Sequence, residues 1–344
     1  MLVETELNII CRQKVLVLEE NTTCKFKWGI IGSGHIARKV ASELSHDDKH
    51  EIVAVFSRNA VTGEDFAKKF GGKYCNNIAE FLSVDCHCVY IASPTSTHYT
   101  YMQDCLNAGK NVLCEKPATV NSKQFESLVN LAKEKGVYLS TVLAFKYGRQ
   151  YRQLKEDLKA NKYGKIEKLH LDFGFDARLL KKRLRLFDPS TASGALMEHG
   201  IYMMAFVEDI LGFSTDFTAT EVFFENGVDM DAVIKMTVNG TVCDLRLSLC
   251  KVLPCEGVLQ CEKGLITLPF FNRGCSVYFD GNPSTLEKDQ FSFLYQFDQV
   301  REEVLRGYNE SPFNTNEQAL NTMKMMDVAK LKVGIEYPEE IERI

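Results

Sequence analysis

The sequence predicts an α/β chain in two parts: a doubly wound parallel sheet, then an α+β unit built on a large open antiparallel sheet. Three observations predict it. From Lys27 to about Phe145, short β-branched runs alternate with amphipathic helical stretches. After Lys165 the pattern changes to strands of period two. A glycine-rich turn, Gly32-Ser33-Gly34-His35-Ile36-Ala37, separates the first strand from the first helix. Alternating βα units require parallel strands with helices on both faces, whereas runs of period-two strands suit hairpins.

The elements follow in order. Trp28–Ile31 predicts a strand and Ile36–Leu44 a helix; Ile52–Phe56 and Val61–Phe70 repeat the pair. Cys88–Ala92 is a third strand, followed by a helix ending at Gly109, and Asn111–Cys114 is a fourth. Asn121 has the short acceptor side chain of an N-cap, and Gly136 supplies a left-handed stop fifteen residues on. Val137–Ala144 closes the series. Leu169, Leu171, Phe173 and Phe175 then alternate as a half-buried strand. A helix over 194–211 stops at Gly212, and strands follow at 217–224, 232–238, 241–249, 257–261 and 265–268. Asn239-Gly240 signals a two-residue hairpin turn, and a final helix runs over 316–333 to Gly334.

Three divisions follow: an added arm over residues 1–26, a nucleotide-binding unit over 27–145, and a substrate-binding and dimerisation unit over 146–344. Within the arm, Val15–Leu18 suits one further strand. A net charge of −5 offers no general attraction to nucleic acid or anionic lipid. No apolar run approaches the ~18 residues of a membrane span, and residues 1–26 lack the pattern of a secretory signal. Twelve cysteines contain no Cys-x-x-Cys pair and no His at zinc-ligand spacing, which predicts reduced structural thiols, no metal and a cytoplasmic chain. The open sheet, with Phe223 and alternating apolar residues, is expected to bury its flat face in a homodimer.

The glycine turn is the Rossmann dinucleotide fingerprint with alanine in the third place: a tight turn, close backbone approach to pyrophosphate, then close helix packing. Gly32, Ser33, Gly34, His35 and Ile36 are thus the expected phosphate-binding residues. The second strand ends Phe56-Ser57-Arg58 without the carboxylate that accepts from an NAD ribose. Ser57 and Arg58 suit a 2′-phosphate, which favours NADP while leaving NAD open. Ser93-Pro94-Thr95-Ser96-Thr97-His98 leaves the third strand, and Cys114-Glu115-Lys116-Pro117 leaves the fourth.

With those two stretches in place, the chain resembles the Gfo/Idh/MocA oxidoreductases from Lys27 to its end. The Glu-Lys-Pro at 115–117 is the most specific element. Trp28, Arg185–Pro189 and Gly200-Ile201-Tyr202 look most like the dihydrodiol dehydrogenase and NADP-xylose dehydrogenase branch. The resemblance implies hydride transfer to or from a hydroxyl or carbonyl of a sugar, polyol or cyclic diol. It adds Ser93, Thr95, His98, Glu115 and Lys116 to the cofactor site, and suggests a cis bond at Pro117. It also implies that Lys116 touches the reacting oxygen, where partial desolvation beside a cationic ring would lower its pKa for acid–base work.

Glu198 and Tyr202, four apart, are expected on one helix face toward the cleft, Tyr202 exchanging a proton and Glu198 tuning Lys116 or binding substrate. His199 points off that face and reads as structural. Relatives normally carry Asp where this chain has Glu198, and Glu and Arg where it has Thr141 and Lys146. Glu198 and Thr141 keep a second reading open, a catalytically silent sensor that binds NAD(P). The basic run Arg178, Lys181, Lys182, Arg183 and Arg185 is read mainly as a solvated loop.

Overall fold

The computed structural model describes residues 25–180, 184–274, 276–287 and 290–344. The expected strand at Val15–Leu18 and the basic residues Lys181, Lys182 and Arg183 lie outside the described residues.

Six parallel strands form the first sheet: β1 Phe26–Ile31, β2 His50–Phe56, β3 Lys73–Cys75, β4 Cys88–Ile91, β5 Val112–Cys114 and β6 Leu139–Thr141, in the order β3-β2-β1-β4-β5-β6. Alternate side chains enter two cores. One face carries α1 His35–Leu44 and α2 Ala60–Phe70; the other carries α4 His98–Asn107 and α5 Ser122–Lys135; the short α3 Ile78–Leu82 precedes β4. Asn121 accepts from Gln124 N and Gly136 ends α5 at φ 65°, as the sequence predicts. The strand order reverses between β1 and β4, so their carboxyl ends open a crevice where nucleotides bind in such sheets.

After α6 Arg149–Lys159, β7 Ile166–Gly174 enters a second, eight-stranded sheet. Its other strands are β8 Phe217–Glu225, β9 Val228–Val238, β10 Thr241–Ser248, β11 Leu253–Cys261, β12 Gly264–Pro269, β13 Tyr278–Phe279 and β14 Asn282–Pro283, in the order β14-β13-β12-β11-β7-β10-β9-β8. This sheet is antiparallel except at its centre, where β7 and β10 run parallel. The chain leaves β7 to build a cleft segment and α7 Ile201–Leu211 before returning through β8, and such a crossover permits parallel pairing. Asn239 (φ 50°) and Gly240 (φ 82°) make the expected hairpin turn.

One face of this sheet packs on α7 and on α9 Asn316–Val333, burying Leu171, Leu245, Met230 and Ile266 against Met203, Met204, Met323 and Met326. The expectation of an apolar opposite face needs correction. In register there, Phe223, Val242, Val258 and Leu265 are interspersed with Lys168, His170, Asp172, Lys235, Asp244 and Arg246. Arg246 grips Asp172 with two nitrogens, and His170 Nε2 lies 3.1 Å from the same carboxylate.

A helix that local reading passed over, α8 Leu294–Leu305, returns to the first sheet. Phe297 and Val300 are fully buried there; the Phe297 ring lies 4.9 Å from Trp28 and 5.1 Å from Tyr90. His50 accepts from Trp28 Nε1 at 3.1 Å and reaches Asp298 at 3.1 Å through its other nitrogen. Each large side chain so buried contributes ~1.5–3 kcal/mol, and α8 thereby completes a face that α1 and α2 leave uncovered.

Candidate active site

A cleft of about 1050 Å³ opens at the carboxyl ends of β1 and β4 and is closed from the other side by the second unit. Gly32 turns at φ 109°, and a Cβ there would stand 2.6 Å from the carbonyl oxygen of Ala92. No L side chain fits that approach. At Gly34 a Cβ would meet nothing within 4 Å, so the backbone faces open space. The helix behind it, α1, has no side-chain cap, whereas α2 and α5 are capped by Asn59 and Asn121. Its first N–H groups thus remain for an anion. Ser33 Oγ lies 2.9 Å from Ser57 Oγ and donates to Thr62 Oγ1 at 2.8 Å, tying the turn to the end of β2. Beside them Arg58 is exposed on the lip and makes no salt bridge among the described residues, while nearby Arg38 is paired to Asp65 at 2.8 Å. His35, Ile36, Ser93 and Thr95 also line the cleft. These features fit a dinucleotide.

His98 does not line the cleft with the other expected cofactor residues. It is buried behind it, Nδ1 at 2.9 Å from Pro117 O and Nε2 at 2.8 Å from Ser93 O. Its ring holds together the two loops that leave β4 and β5, a positioning role that the motif alone did not separate from contact.

The end of the cleft lined by Lys116 gathers residues far apart in sequence. Glu115, buried, accepts from Tyr90 OH at 2.8 Å and from the Lys116 backbone N–H at 3.2 Å, and the Lys116–Pro117 bond is cis. Lys116 Nζ donates to Glu198 O at 3.1 Å and Glu198 Oε2 at 3.4 Å, and lies 5.0 Å from the Tyr202 ring centroid. Arg185 donates to Glu198 Oε1 at 2.7 Å. Glu198 and Tyr202 do share the cleft, but the helix begins as a wider π-helical turn over Leu196–Gly200 before α7.

In the protein alone the charges around Lys116 oppose the lowering expected beside a cationic ring. Burial works against the Lys116 ammonium, but Glu198, Tyr202 and Glu115 together raise its pKa above the ordinary lysine value. Burial likewise opposes the Glu198 charge, yet Lys116 and Arg185 hold this carboxylate down at about 2. Burial pushes Tyr202 up, against the pull of Lys116. At neutral pH the protein alone therefore presents an ammonium, a carboxylate and a neutral phenol.

His199 is structural, as expected: its ring stacks on Phe173 at 4.0 Å, and burial pushes its pKa down to about 3. Thr141 and Lys146 stand outside the main cleft. Thr141 Oγ1 accepts from Asn314 at 2.9 Å, and Lys146 reaches Asn314 at 3.1 Å and Asp209 at 3.4 Å. The basic run divides, because Arg178 is held by Asp176 at 2.8 Å while Arg185 enters the site. Arg273, Asn272, Phe291 and Phe293 also line the cleft and escaped sequence reading, since they sit in a single 3-10 turn, Phe271–Arg273, and in the stretch just before α8, neither long enough to show a period.

Residues 26–142 match the Gfo/Idh/MocA family, described as an oxidoreductase family with an NAD-binding Rossmann fold. Over that stretch the chain carries the NAD-binding Rossmann unit of that oxidoreductase family. The chain is 27% identical over 326 residues to the scyllo-inositol 2-dehydrogenase (NADP(+)) IolU of Bacillus subtilis (strain 168), covering 91% of this chain and 99% of that one. It is 28% identical over 332 residues to the trans-1,2-dihydrobenzene-1,2-diol dehydrogenase of Mus musculus, covering 91% and 98%. Among solved structures it is similar in fold to a 3-ketoreductase from Actinomadura kijaniata in complex with NADP and TDP-benzene. The TM-score there is 0.79 at 22% identity, with 90% and 98% of the two chains covered.

Proposed function

We propose that this oxidoreductase uses NADP to oxidise a ring hydroxyl of a sugar, polyol or cyclic diol, or to reduce the corresponding ketone. The observation that carries the reading is the convergence of Lys116, Glu198 and Tyr202 at one end of a cleft whose other end has the dinucleotide turn. The bound nicotinamide supplies the hydride acceptor or donor. Lys116, held as an ammonium by Glu198, donates to the substrate oxygen and stabilises negative charge developing on it. Tyr202, kept neutral by burial, has the proton to give when a ketone is reduced; when a hydroxyl is oxidised it must first release that proton to solvent and then takes the one leaving the substrate oxygen. Arg185 fixes the Glu198 carboxylate so that it orients Lys116 without leaving the cleft. The inositol and dihydrodiol named in the two relatives both carry a secondary alcohol on a six-membered ring, which supports that substrate class. The alternative of a silent sensor would suit a broken constellation, and these side chains are assembled. A panel of sugars, inositols and cyclic diols, followed by absorbance of the reduced cofactor with NADP and NAD, tests the reading.

Arg58 is the residue assigned to the 2′-phosphate. Arg58→Ala should weaken NADPH binding by about tenfold or more, the scale of one charge-assisted contact, and leave NADH nearly unaffected. Fluorescence titration of both cofactors checks this, and an unchanged ratio removes the assignment.

We retain the division into a cofactor unit over 27–145 and a substrate unit over 146–344, with α8 lent back to the first sheet. A homodimer through the outer face of the eight-stranded sheet is the expected assembly. Its exposed Phe223, Val242 and Leu265 would lose water, and the ion pairs between them would set the register. Light scattering should give twice the 39.0 kDa chain mass at micromolar concentration; a stable single-chain species would count against it. A cytoplasmic setting is supported by nine cysteines that are all free among the described residues. No helix among those residues is long and apolar enough to cross a membrane.

A further inference from the structure

The helical segment that carries Glu198 and Tyr202 begins against a carboxylate from a distant strand. Asp229, at the start of β9 and only 1% exposed, accepts the Leu196 backbone N–H with Oδ2 at 2.6 Å. Leu196 opens the Leu196–Gly200 turn, which has no side-chain cap of its own, so Asp229 satisfies a donor that every helix start leaves open. The other carboxylate oxygen, Oδ1, is buried without a hydrogen-bond partner among the described residues. It lies against Gly194, whose φ is 133° and whose Cβ, if present, would overlap Oδ1. The backbone is therefore shaped to admit this carboxylate.

We propose that Asp229 is a positioning residue for the reaction: it anchors the start of the helical segment and thereby fixes Glu198 and Tyr202 relative to Lys116. This rests on the catalytic reading of those three residues. The anchor acts through backbone, because Glu198 N donates to Gly194 O at 2.9 Å and Lys116 Nζ is bound to the main-chain oxygen of Glu198 as well as to its carboxylate. A segment start that shifts by a fraction of an ångström moves both of those acceptors.

The anchor also responds to pH. Burial pushes the Asp229 carboxyl up to about 7, against the Leu196 and Asp229 backbone N–H groups that favour its charge. From the helix side it meets the backbone of Gly194 to Leu196. From the C-terminal segment it is faced by Tyr337, whose hydroxyl donates to Ser193 O at 3.1 Å and which in turn feels Glu198 and Glu342, with Lys330 Nζ 5.9 Å from its ring. Along β9 the next acid, Asp231, is paired to Lys251 at 2.6 Å. The ionised form is the stronger acceptor for a helix-start N–H, so the anchor tightens as pH rises through neutrality.

The test compares Asp229→Asn, which keeps an acceptor but does not titrate, with Asp229→Ala, which removes it. Wild-type kcat should rise with pH through a limb near neutrality that D229N lacks. D229A should lose about tenfold or more in kcat, the scale of a sub-ångström misplacement, while NADPH affinity stays that of wild type. A second readout needs no substrate. An acid whose folded pKa exceeds its unfolded value contributes stability at low pH that is lost as pH rises through the folded pKa. The melting temperature of D229N relative to wild type should therefore climb between about pH 5 and about pH 8. A flat difference overturns the buried titration. A D229N profile with the wild-type limb, or wild-type kcat in folded D229A, overturns the positioning role. Full turnover in Lys116→Ala would instead undo the catalytic reading and leave the stability result standing.

Discussion

Replacing Lys116 by alanine is expected to lower kcat by ~10²–10³-fold, the usual cost of removing one donor that stabilises charge on the reacting oxygen, with NADPH affinity close to wild type. The two effects separate because the residues are separate. Phosphate binding rests on the Gly32 turn and the uncapped start of α1, at the opposite end of the cleft from Lys116. Loss of the ammonium also leaves Glu198 with Arg185 as its cationic partner, at 2.7 Å on Oε1, so the carboxylate stays ionised while Oε2, which Lys116 had held, is left without its donor near the substrate oxygen. Its repulsion of that oxygen adds to the lost donor. Tyr202→Phe should lower kcat by a smaller factor, since the ring that packs beside Lys116 survives and only the hydroxyl is gone. Steady-state kinetics on a substrate found by the panel, with cofactor titration in parallel, decides this. If both variants keep wild-type kcat at saturation, the acid–base assignment fails.

Asp209→Ala should destabilise the fold by ~3–5 kcal/mol, the cost of stranding a buried charge. Asp209 has a fully buried side chain on α7, where it accepts from Tyr151 OH at 2.8 Å, Lys155 at 2.7 Å and Gln318 at 3.0 Å, with Lys146 Nζ at 3.4 Å. The Lys146 side chain is 1% exposed, and without Asp209 its nearest acceptor is the neutral Asn314 oxygen at 3.1 Å. Burial already lowers the Lys146 pKa, against the pull of Asp209. Removing that pull lowers it further, so the penalty should shrink as pH rises and Lys146 sheds its proton more readily. Urea unfolding midpoints at neutral and alkaline pH measure both parts. A loss below about 1 kcal/mol, within the range of an exposed pair, would show that the cluster is solvated. Because Lys146 stands just past β6 at the junction of the two units and Asp209 lies about two turns beyond Tyr202, this cluster ties the cleft helix to the start of the second unit.

Several elements were legible residue by residue. Asn121, Gly136, Asn239-Gly240 and Gly334 each took the backbone state that their chemistry favours. Of the helices named above, three were passed over: α3, whose five residues are too few to show a period, α6 and α8. In α6 only Gln150, Tyr151 and Leu154 are buried, so its apolar stripe is short against a long polar face. In α8 the buried positions recur at helical spacing, but the surface they fill, Trp28 and Tyr90, lies more than two hundred residues earlier in the chain. β3 has three residues, too few to show a period.

What the sequence determined by itself was the nucleotide fold and the phosphate turn, and it offered Lys116, Glu198 and Tyr202 as candidates. These are local matters: a turn with φ above zero needs glycine, and a motif keeps its candidate residue at a fixed offset. Tertiary structure decided the rest. It paired Lys116 with Glu198 across 82 residues, which raises the lysine's pKa in the protein alone. It drew His98 behind the cleft and Arg185 into it. It set Asp229 under the start of the helix that carries Glu198 and Tyr202. Charge states and hydrogen-bond partners depend on distances of a few ångströms between residues remote in the chain, and such distances exist only after the two units have packed.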